Sequence, residues 1–399
     1  MSIHGISAHP FVYSSSRSGN TCKNILGVYS SRRLFSSTLL VDSSRRLFSF
    51  TSVRRYQKDH LVHTCDVDTE PLHRYRSGGY HPTRLEDVLK YGRYKRLHKL
   101  GWGGYSTVWA ARDQRCRLLL PLGISISERG ERNREFKVLN AIAAVRSEHP
   151  GARHLLGPSV PSLLDVRFHD ERLPGKLAKT IAKQALLGVD YLHQHKIGHG
   201  DLHTCNLTFT IPSLYYLSEE EFLQELGKPE IGLIKKNDGG SLEPDMPKYL
   251  VRPASYLADS SLLSHPIKII DFGELDYRVD LWSMGCMLVE LVVGQPPFDS
   301  FMITPIVLVR QILEQASDGL PERWQQKWRE MGSTSPGEMS GYTLQGWLEE
   351  MYFDEERNED LSREDISKVG ELVRRMLRFE PSNRASASEI LRDPWFKGK

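Results

Sequence analysis

The sequence is organised around one stretch, Gly198-His199-Gly200-Asp201-Leu202-His203-Thr204-Cys205-Asn206. An Asp followed five residues later by an Asn arises easily by chance, so this spacing needs support from elsewhere in the chain. A second stretch supplies it: Ile267-Lys268-Ile269-Ile270-Asp271-Phe272-Gly273 places a carboxylate directly after a short apolar run. Such a run predicts a buried strand that ends at Asp271.

The first stretch resembles the catalytic loop of protein kinases, H-R-D-x-x-x-x-N, and the second resembles their D-F-G strand. The chain is identified as a member of the eukaryotic protein kinase superfamily. The resemblance implies an α+β, bilobal fold with a small β-rich N-lobe and a larger helical C-lobe. It also implies that Asp201 orients the attacking hydroxyl, that Asn206 and Asp271 bind Mg²⁺, and that ATP is the phosphate donor.

The catalytic loop departs from the family pattern at two positions. Gly200 stands where the family has an Arg that contacts a phosphorylated activation loop, so we expect no control of that kind. His203 stands where the family has a Lys, and we predict that it hydrogen-bonds the transferring phosphate, though it is only partly charged near neutral pH. The alternative is that His203 is an ordinary polar loop residue.

Upstream, the pattern G-x-G-x-x-S-x-V lies within Leu97 to Trp109, where apolar residues alternate around a glycine turn. The alternation predicts a β-hairpin. The resemblance implies that its backbone amides approach phosphate oxygens and that Val108 covers an adenine ring. The alternative is a plain hairpin without a ligand. The predicted ATP-binding residues are Leu100, Gly101, Gly103, Gly104, Ser106, Val108 and Glu135.

The wider string around this hairpin is more specific than the glycines alone. The SR-protein kinases, which are serine/threonine kinases that act on Arg-Ser-rich proteins, are resembled by Gly79-Tyr80-His81-Pro82, Gly92-Arg93-Tyr94 and Leu100-Gly101-Trp102-Gly103 through Ser106-Thr107-Val108-Trp109. Leu320 to Trp324, far downstream, resembles the same family. The resemblance implies a protein substrate of that composition.

Three compact pieces of the family pattern are missing, so the kinase domain is expected to be incomplete. The family has a strand here whose lysine contacts the α/β-phosphates. The strand within Cys116 to Ile126 has no lysine, and by register Gly123 stands where the lysine is expected. Pro121 is expected to break that strand. The helix predicted at Glu131 to Ala144 keeps Glu135, the usual partner of the missing lysine.

The other two gaps follow. A strand is predicted at Val160 to Phe168, but the hinge that should follow it is absent before the helix at Lys176 to His195. Only Glu274 to Val279 lies between the D-F-G and the apolar helix that begins near Asp280, so the activation segment is absent. Loss of whole segments explains these abrupt junctions better than gradual decay.

These departures leave three interpretations of function. The first is a serine/threonine protein kinase of SR-protein kinase type. The second is a catalytically inactive pseudokinase that acts by protein contact. The third is a small-molecule phosphotransferase like the aminoglycoside and choline kinases, which share H-G-D-L-H-x-x-N. The regions of Trp282 and Arg384 match the helices of protein kinases and argue against the third.

Bulk composition is ordinary for a soluble globular protein. The chain has 399 residues and a net charge of +3, which is too small to predict nucleic acid binding. The five cysteines are scattered, so they predict a reducing compartment rather than a disulfide framework. The sequence lacks an apolar run of the roughly 20 residues that span a bilayer, so membrane insertion is not expected.

The first 60 residues differ from the remainder, being rich in Arg and Ser with only Asp42 and Asp59 as acids. This composition is typical of a mitochondrial transit peptide, and the alternative is a disordered basic tail in a protein of the cytoplasm or nucleus. We expect residues 61–93 to be a linker and N-terminal extension. The predicted kinase domain spans 94–396, with an N-lobe at 94–170, a C-lobe at 171–396 and an insertion at 210–265.

Overall fold

The computed structural model describes residues 62–128, 137–138, 141–142, 148–149, 172–254, 265–273, 277–298, 304–331, 343–354 and 359–397. The described residues fall into two compact units. Residues 62–128 and 212–254 form the sheet unit, and those within 137–211 and 265–397 form the helical unit. The expectations for residues 1–60, for Glu135 and for a strand at Val160 to Phe168 lie outside the described residues.

The sheet unit contains eight strands and a helix among its described residues. They are β1 (His63–Thr64), β2 (Val88–Leu89), β3 (Tyr94–Gly103), β4 (Ser106–Asp113), β5 (Leu119–Ser125), α2 (Glu219–Leu226), β7 (Ile231–Leu233), β8 (Lys235–Lys236) and β9 (Tyr249–Val251), with short 3₁₀ turns at Leu72–Arg74 and Pro212–Tyr216. The eight strands named here build one four-stranded antiparallel sheet in the order β2-β3-β4-β5 and two small ribbons, β1-β8 and β7-β9.

The predicted hairpin is confirmed. Strands β3 and β4 pair antiparallel from Tyr94↔Asp113 to Gly103↔Ser106, and the register shifts at two points along β3. Both faces of this sheet are covered, because every residue of β4 is buried. The first face carries Trp109 and Leu122, and it packs in one cluster with Val251 of β9.

The second face of the sheet is covered by residues from the segment predicted as an insertion. Leu97, Ala110 and Leu119 form a cluster there with Phe222 and Leu226 of α2. The segment predicted as an insertion therefore contains a helix that packs on the sheet. Ser218 caps this helix in a capping box with Glu221, which satisfies free amide groups of the first turn.

The break expected at Pro121 is wrong. Pro121 lies inside the continuous strand β5, where it pairs opposite Ala110. Strand β5 is the last in the order of the sheet, and an edge strand tolerates a residue that has no N–H to donate. Gly123 lies two residues further along, opposite Val108, so the strand forms without the lysine of the family.

The helical unit is built around α1 and α3. Its elements are α1 (Gly175–Gln194), β6 (Leu207–Phe209), β10 (Ile267–Ile269), α3 (Arg278–Val293), α4 (Pro305–Gln315), α5 (Glu322–Glu330), α6 (Leu344–Tyr352), α7 (Arg363–Met376) and α8 (Ala387–Leu391). Helix α1 packs against α3 and α8, and α7 packs against α3 and α6. None of the helices in the described part of the chain is long and apolar enough to cross a membrane.

Two short strands position the catalytic stretches of the sequence. Strand β10 pairs antiparallel with β6, so that Ile269 lies opposite Leu207. The 3₁₀ turn Thr204–Asn206 leads directly into β6, and Asp271 follows directly after β10. The pairing therefore brings the ends of the two predicted stretches together.

Candidate active site

The loop from His199 to Asn206 is held by one buried carboxylate. Asp280, in the first turn of α3, has no exposed surface. Its Oδ2 accepts hydrogen bonds from the backbone N–H of His199 (2.8 Å) and from Nε2 of His193 (2.9 Å), and its Oδ1 accepts one from the backbone N–H of Gly200 (2.7 Å). Hydrogen bonds to a charged acceptor are strong, so this carboxylate fixes the start of the loop.

The imidazole of His199 uses both of its nitrogens. Nε2 donates to the carbonyl oxygen of Ile270 at 2.8 Å, and Nδ1 accepts from the backbone N–H of Asp201 at 3.2 Å. The ring also lies 5.0 Å from that of Phe272, between centroids. Burial lowers the pKa of His199, so the neutral ring that this pattern requires is the stable form.

Asn206 closes the loop on itself. Its Nδ2 donates to the carbonyl oxygen of Asp201 at 2.8 Å, which leaves its Oδ1 as the atom available to a cation. Its own carbonyl oxygen accepts from the backbone N–H of Ile270 at 3.0 Å. Thr204, inside the turn, donates to Oε1 of Glu290 at 2.8 Å, which ties the loop to α3 a second time.

The D-F-G stretch packs closely against the catalytic loop, and Asp271 and Gly273 make this possible. Asp271 is buried and has a left-handed backbone, with φ of 63°, which is uncommon for a residue other than glycine. A Cβ added at Gly273 would lie 2.7 Å from Cβ of Asp201 and 2.9 Å from the carbonyl carbon of Gly200. Only glycine therefore fits where this stretch passes the catalytic loop.

The remaining loop residue of interest is His203, which is partly buried beside Asp201. Burial lowers its pKa, and the charge of Asp201 opposes that effect without overcoming it. His203 is therefore mainly neutral at neutral pH, unlike the lysine that the family has at this place.

The helical unit thus brings Asp201, Asn206, Asp271 and His203 together. The predicted nucleotide-binding residues lie in the sheet unit, except for Glu135, which lies outside the described residues. Gly103 and Ser106 pair across the turn that contains Gly104. The carbonyl of Gly103 accepts from the hydroxyl of Tyr80, and that of Gly104 accepts from Arg74, so the N-terminal extension holds this turn.

The sheet unit has a buried Lys–Glu pair, but it is not the one that the family uses. Lys99 of β3 contacts Glu70, and both side chains are buried. Glu70 also accepts from the hydroxyls of Tyr75 (2.5 Å) and Thr69 (2.7 Å). Burial lowers the pKa of Lys99. The pair fastens residues of the N-terminal extension to the sheet.

The sequence did not predict the hydrogen-bond partners of Arg384. The family pairs this arginine with a glutamate of the missing segment. Here Nη1 donates to the carbonyl of Arg278 (2.6 Å), Nε to that of Arg378 (2.8 Å) and Nη2 to that of Phe379 (3.3 Å), while the guanidinium lies 5.3 Å from the ring of Trp282. Backbone carbonyls leave no trace in the sequence, so no signal could have revealed this.

The role of Asp280 was also missed, although a signal was present. A carboxylate in the first turn of an otherwise apolar helix needs partners when it is buried. The sequence offered two nearby candidates in His193 and the loop around His199, but it gave no means of choosing between them.

Comparisons with known proteins agree with this geometry. The family model of the protein kinase domain matches residues 266–396. A serine/threonine protein kinase of Aspergillus fumigatus is 25% identical over 82% of this chain and 90% of its own length. The serine/threonine-protein kinase SRPK of Physarum polycephalum is 25% identical over 83% of this chain and 92% of its own length.

Two further matches are a relative that covers less than half of this chain and a solved structure. Human SRSF protein kinase 3 is 28% identical over 42% of this chain and 35% of its own length. A solved kinase domain superposes with a TM-score of 0.50 at 14% identity and covers 79% of this chain, which supports the fold alone. The fold and the loop from His199 to Asn206 agree with those of the protein kinase class, and residues 266–396 match the protein kinase domain. SR-protein kinases are among the relatives of the chain.

Proposed function

We propose that the protein is a serine/threonine protein kinase of SR-protein kinase type, which transfers the γ-phosphate of ATP to a Ser or Thr hydroxyl of a protein. The observation that carries the proposal is the loop from His199 to Asn206. Asp280 holds its backbone, Asn206 closes it, and Gly273 packs against it. These contacts fix the backbone around Asp201, which supports a role for its carboxylate in orienting a hydroxyl.

In the proposed reaction, Asp201 accepts the proton of the attacking hydroxyl as its oxygen bonds to the γ-phosphorus. The bond from that phosphorus to the bridging oxygen of ADP breaks. His203, being mainly neutral, contributes a hydrogen bond to a phosphate oxygen in place of a lysine charge. The loss of that charge predicts slower transfer than in a kinase with lysine here.

The donor set around the loop suits Mg²⁺. Asp271 offers carboxylate oxygens and Asn206 offers its Oδ1, and Mg²⁺ prefers such hard oxygen ligands. When bound, the ion would neutralise charge on the phosphates. The chain's own residues supply the remainder: they hold the loop, orient the hydroxyl and take its proton.

The relatives suggest the substrate. The printed names of two of them, SRPK and SRSF protein kinase, denote kinases of the SR-protein type. We therefore propose a protein substrate rich in Arg and Ser.

The test is transfer of labelled phosphate from ATP to an Arg-Ser peptide by the full chain. We expect Asp201→Asn to lower the rate by about 10²–10⁴-fold, because general base catalysis contributes that much. Asp238→Asn, at an exposed turn, is the matched control and should leave the rate unchanged. Equal rates for the unchanged chain and Asp201→Asn would overturn the proposal.

A pseudokinase is the second candidate, and one observation favours it. Strand β5 is complete without a lysine, so the sheet has no cation at the place where the family contacts the α/β-phosphates. A purified chain that transfers no phosphate but captures a protein partner would support this alternative. Phosphorylation of a small alcohol and of no peptide would favour a small-molecule phosphotransferase instead.

We also propose that residues 1–60 direct the protein to mitochondria, on the strength of their Arg-rich, Ser-rich and acid-poor composition. Fusion of these residues to a fluorescent reporter tests the proposal. A diffuse cytosolic signal would contradict it.

A further inference from the structure

The second face of the sheet carries two of the predicted ATP-binding residues, Leu100 and Val108. Val108 and Ala110 point to this face, because residues two apart in a strand share a side. Leu100, at a register shift of β3, packs against the same cluster as Ala110. A nucleotide that binds as the family binds it needs this surface to be free.

In the described structure this surface is covered. Phe222 and Leu226 of α2 are 4% and 9% exposed, and they pack against Ala110 and Leu97. Leu214 and Leu217 of the preceding segment lie on the same cluster, and Val108 has no exposed surface. The adenine-binding side of the sheet therefore does not fit ATP while α2 is in place.

Polar contacts hold the cover at its edges. Nη2 of Arg112 donates to the carbonyl of Leu217 at 2.6 Å, and Nζ of Lys95 lies 2.7 Å from Oε2 of Glu219. The backbone N–H of Ala254 donates to the carbonyl of Lys99 at 2.8 Å, which joins the far end of the segment to β3. These contacts surround the apolar cluster without adding to its buried area.

Helix α2 is expected to detach from the sheet more easily than the strands of the sheet separate from one another. Helix α2 has eight residues, and a helix of that length is not stable in water without packing. Only Phe222 and Leu226 of its residues are buried. It ends at Gly227, whose φ of 82° is left-handed and beside which an added Cβ would meet nothing within 4 Å. Few apolar contacts and an open glycine place α2 among the elements that open first.

We propose that α2 is an autoinhibitory cover, and that it and the adenine ring of ATP compete for the face that carries Leu100 and Val108. The proposal rests on the proposed kinase function, because it names the regulation of that same nucleotide site. Release of α2 exposes the face, and adenine nucleotide binding then keeps α2 away from it.

The test uses the full chain and two readouts. The first is the rate at which a maleimide modifies the introduced thiol of Leu100→Cys, followed at that residue by mass spectrometry. We expect Phe222→Ala with Leu226→Ala to raise this rate at least about tenfold, because the two apolar anchors of α2 are lost. Leu233→Cys, at a residue that is 61% exposed, is the control and should react at one rate in both backgrounds.

The second readout is binding of a fluorescent ATP analogue with Mg²⁺. We expect the doubly substituted chain to bind at least about tenfold more tightly than the unchanged chain, since it no longer has to displace α2. Leu233→Ala, in the same segment, should bind like the unchanged chain.

The outcomes separate this proposal from the proposed function. An unchanged modification rate, or equal nucleotide affinity in the two chains when both bind, would overturn the cover. Faster modification of the doubly substituted chain, with no nucleotide binding by either chain, would show that α2 covers the face. The same result would overturn the competition between α2 and ATP, and it would also overturn the proposed kinase function.

Discussion

At the scale of single residues, Asp280 matters most to the site. Its carboxylate is fully buried and accepts from two backbone N–H groups and one imidazole. The two backbone donors, at His199 and Gly200, are buried, so removing their partner leaves them unsatisfied. The residue is thus a positioning residue for Asp201, which it does not touch.

We expect Asp280→Ala to lower the free energy of unfolding by about 2–4 kcal/mol, because buried donors lose a charged partner. Urea denaturation measures the change. Glu371→Ala, which removes an exposed surface pair with Lys368, is the control and should cost less than about 1 kcal/mol. Equal losses for the two variants would contradict the proposed role.

Gly273→Ala tests the close approach of the D-F-G stretch to the loop. The new Cβ would lie under 3.0 Å from Asp201 and Gly200, so one of the two segments must move. We expect a loss of stability of about 1–3 kcal/mol and, if the chain transfers phosphate, a rate about 10²-fold lower. Gly319→Ala adds its Cβ to open space and should change neither quantity.

Stability should fall as the solution becomes acidic. The pKa of folded His199 is lowered below 6.5 by burial, so the unfolded chain takes up the proton first. Its contribution is fully present above the unfolded pKa and is lost as pH falls below it, by at most about 1.4 kcal/mol per pH unit.

Urea denaturation between about pH 7.5 and 5.5 measures this dependence. We expect His199→Gln to be less stable throughout but to show a smaller slope, because one titrating group has gone. His81, His98 and His203 also have lowered pKa values and keep part of the slope. An identical slope in the variant would show that His199 does not contribute.

At the scale of elements, Arg384 shows how the helical unit closes without the missing segment. The guanidinium joins the first turn of α3, through Arg278, to the chain that follows α7, through Arg378 and Phe379. It does so with three donors spread over a planar fork, which an ammonium group cannot imitate.

We therefore expect Arg384→Lys to lower the free energy of unfolding by about 1–2 kcal/mol although the charge is kept. Thermal denaturation provides the measurement. Arg374→Lys, at an exposed position of α7, is the matched control and should be neutral. A neutral Arg384→Lys would mean that charge alone matters at this position.

The elements also show what the sequence could predict. The alternation around the glycine turn predicted the β3–β4 hairpin, because that signal is local. Pro121 misled because its tolerance depends on β5 being an edge strand, which only the assembled sheet decides. The contact of Phe222 and Leu226 with the sheet was not predicted, because it joins residues that are far apart in the chain.

At the scale of the whole molecule, the α+β fold of the kinase family was predicted from ordered motifs and is confirmed. The roles of Asp201, Asn206 and Asp271 stay predictions, since transfer of phosphate is a property that geometry alone does not measure. What the sequence could not predict is the division of the described residues into two units, in which 212–254 join the sheet. That division depends on contacts between residues far apart in the chain.

The sheet unit and the helical unit have separate cores, so a cavity in one core is expected to destabilise mainly that unit. Leu122 in the sheet unit and Leu348 in the helical unit are both fully buried. We expect Leu122→Ala and Leu348→Ala each to cost about 2–5 kcal/mol, because each leaves a cavity. Hydrogen exchange should rise first in β3–β5 for Leu122→Ala and in α6 and α7 for Leu348→Ala. A uniform rise in both units would indicate a single cooperative core.

The contacts of Arg384 have a consequence for mutational tolerance. A glutamate partner can be lost by one base change, whereas a backbone carbonyl is provided by every amino acid. Positions 278 and 378 can therefore vary in side chain while still offering the same acceptors to Arg384. Phe379 is also constrained by its own buried ring, which packs against Trp282 and Trp324. Drift in the lineage of this chain should thus be constrained at the arginine and comparatively free at positions 278 and 378.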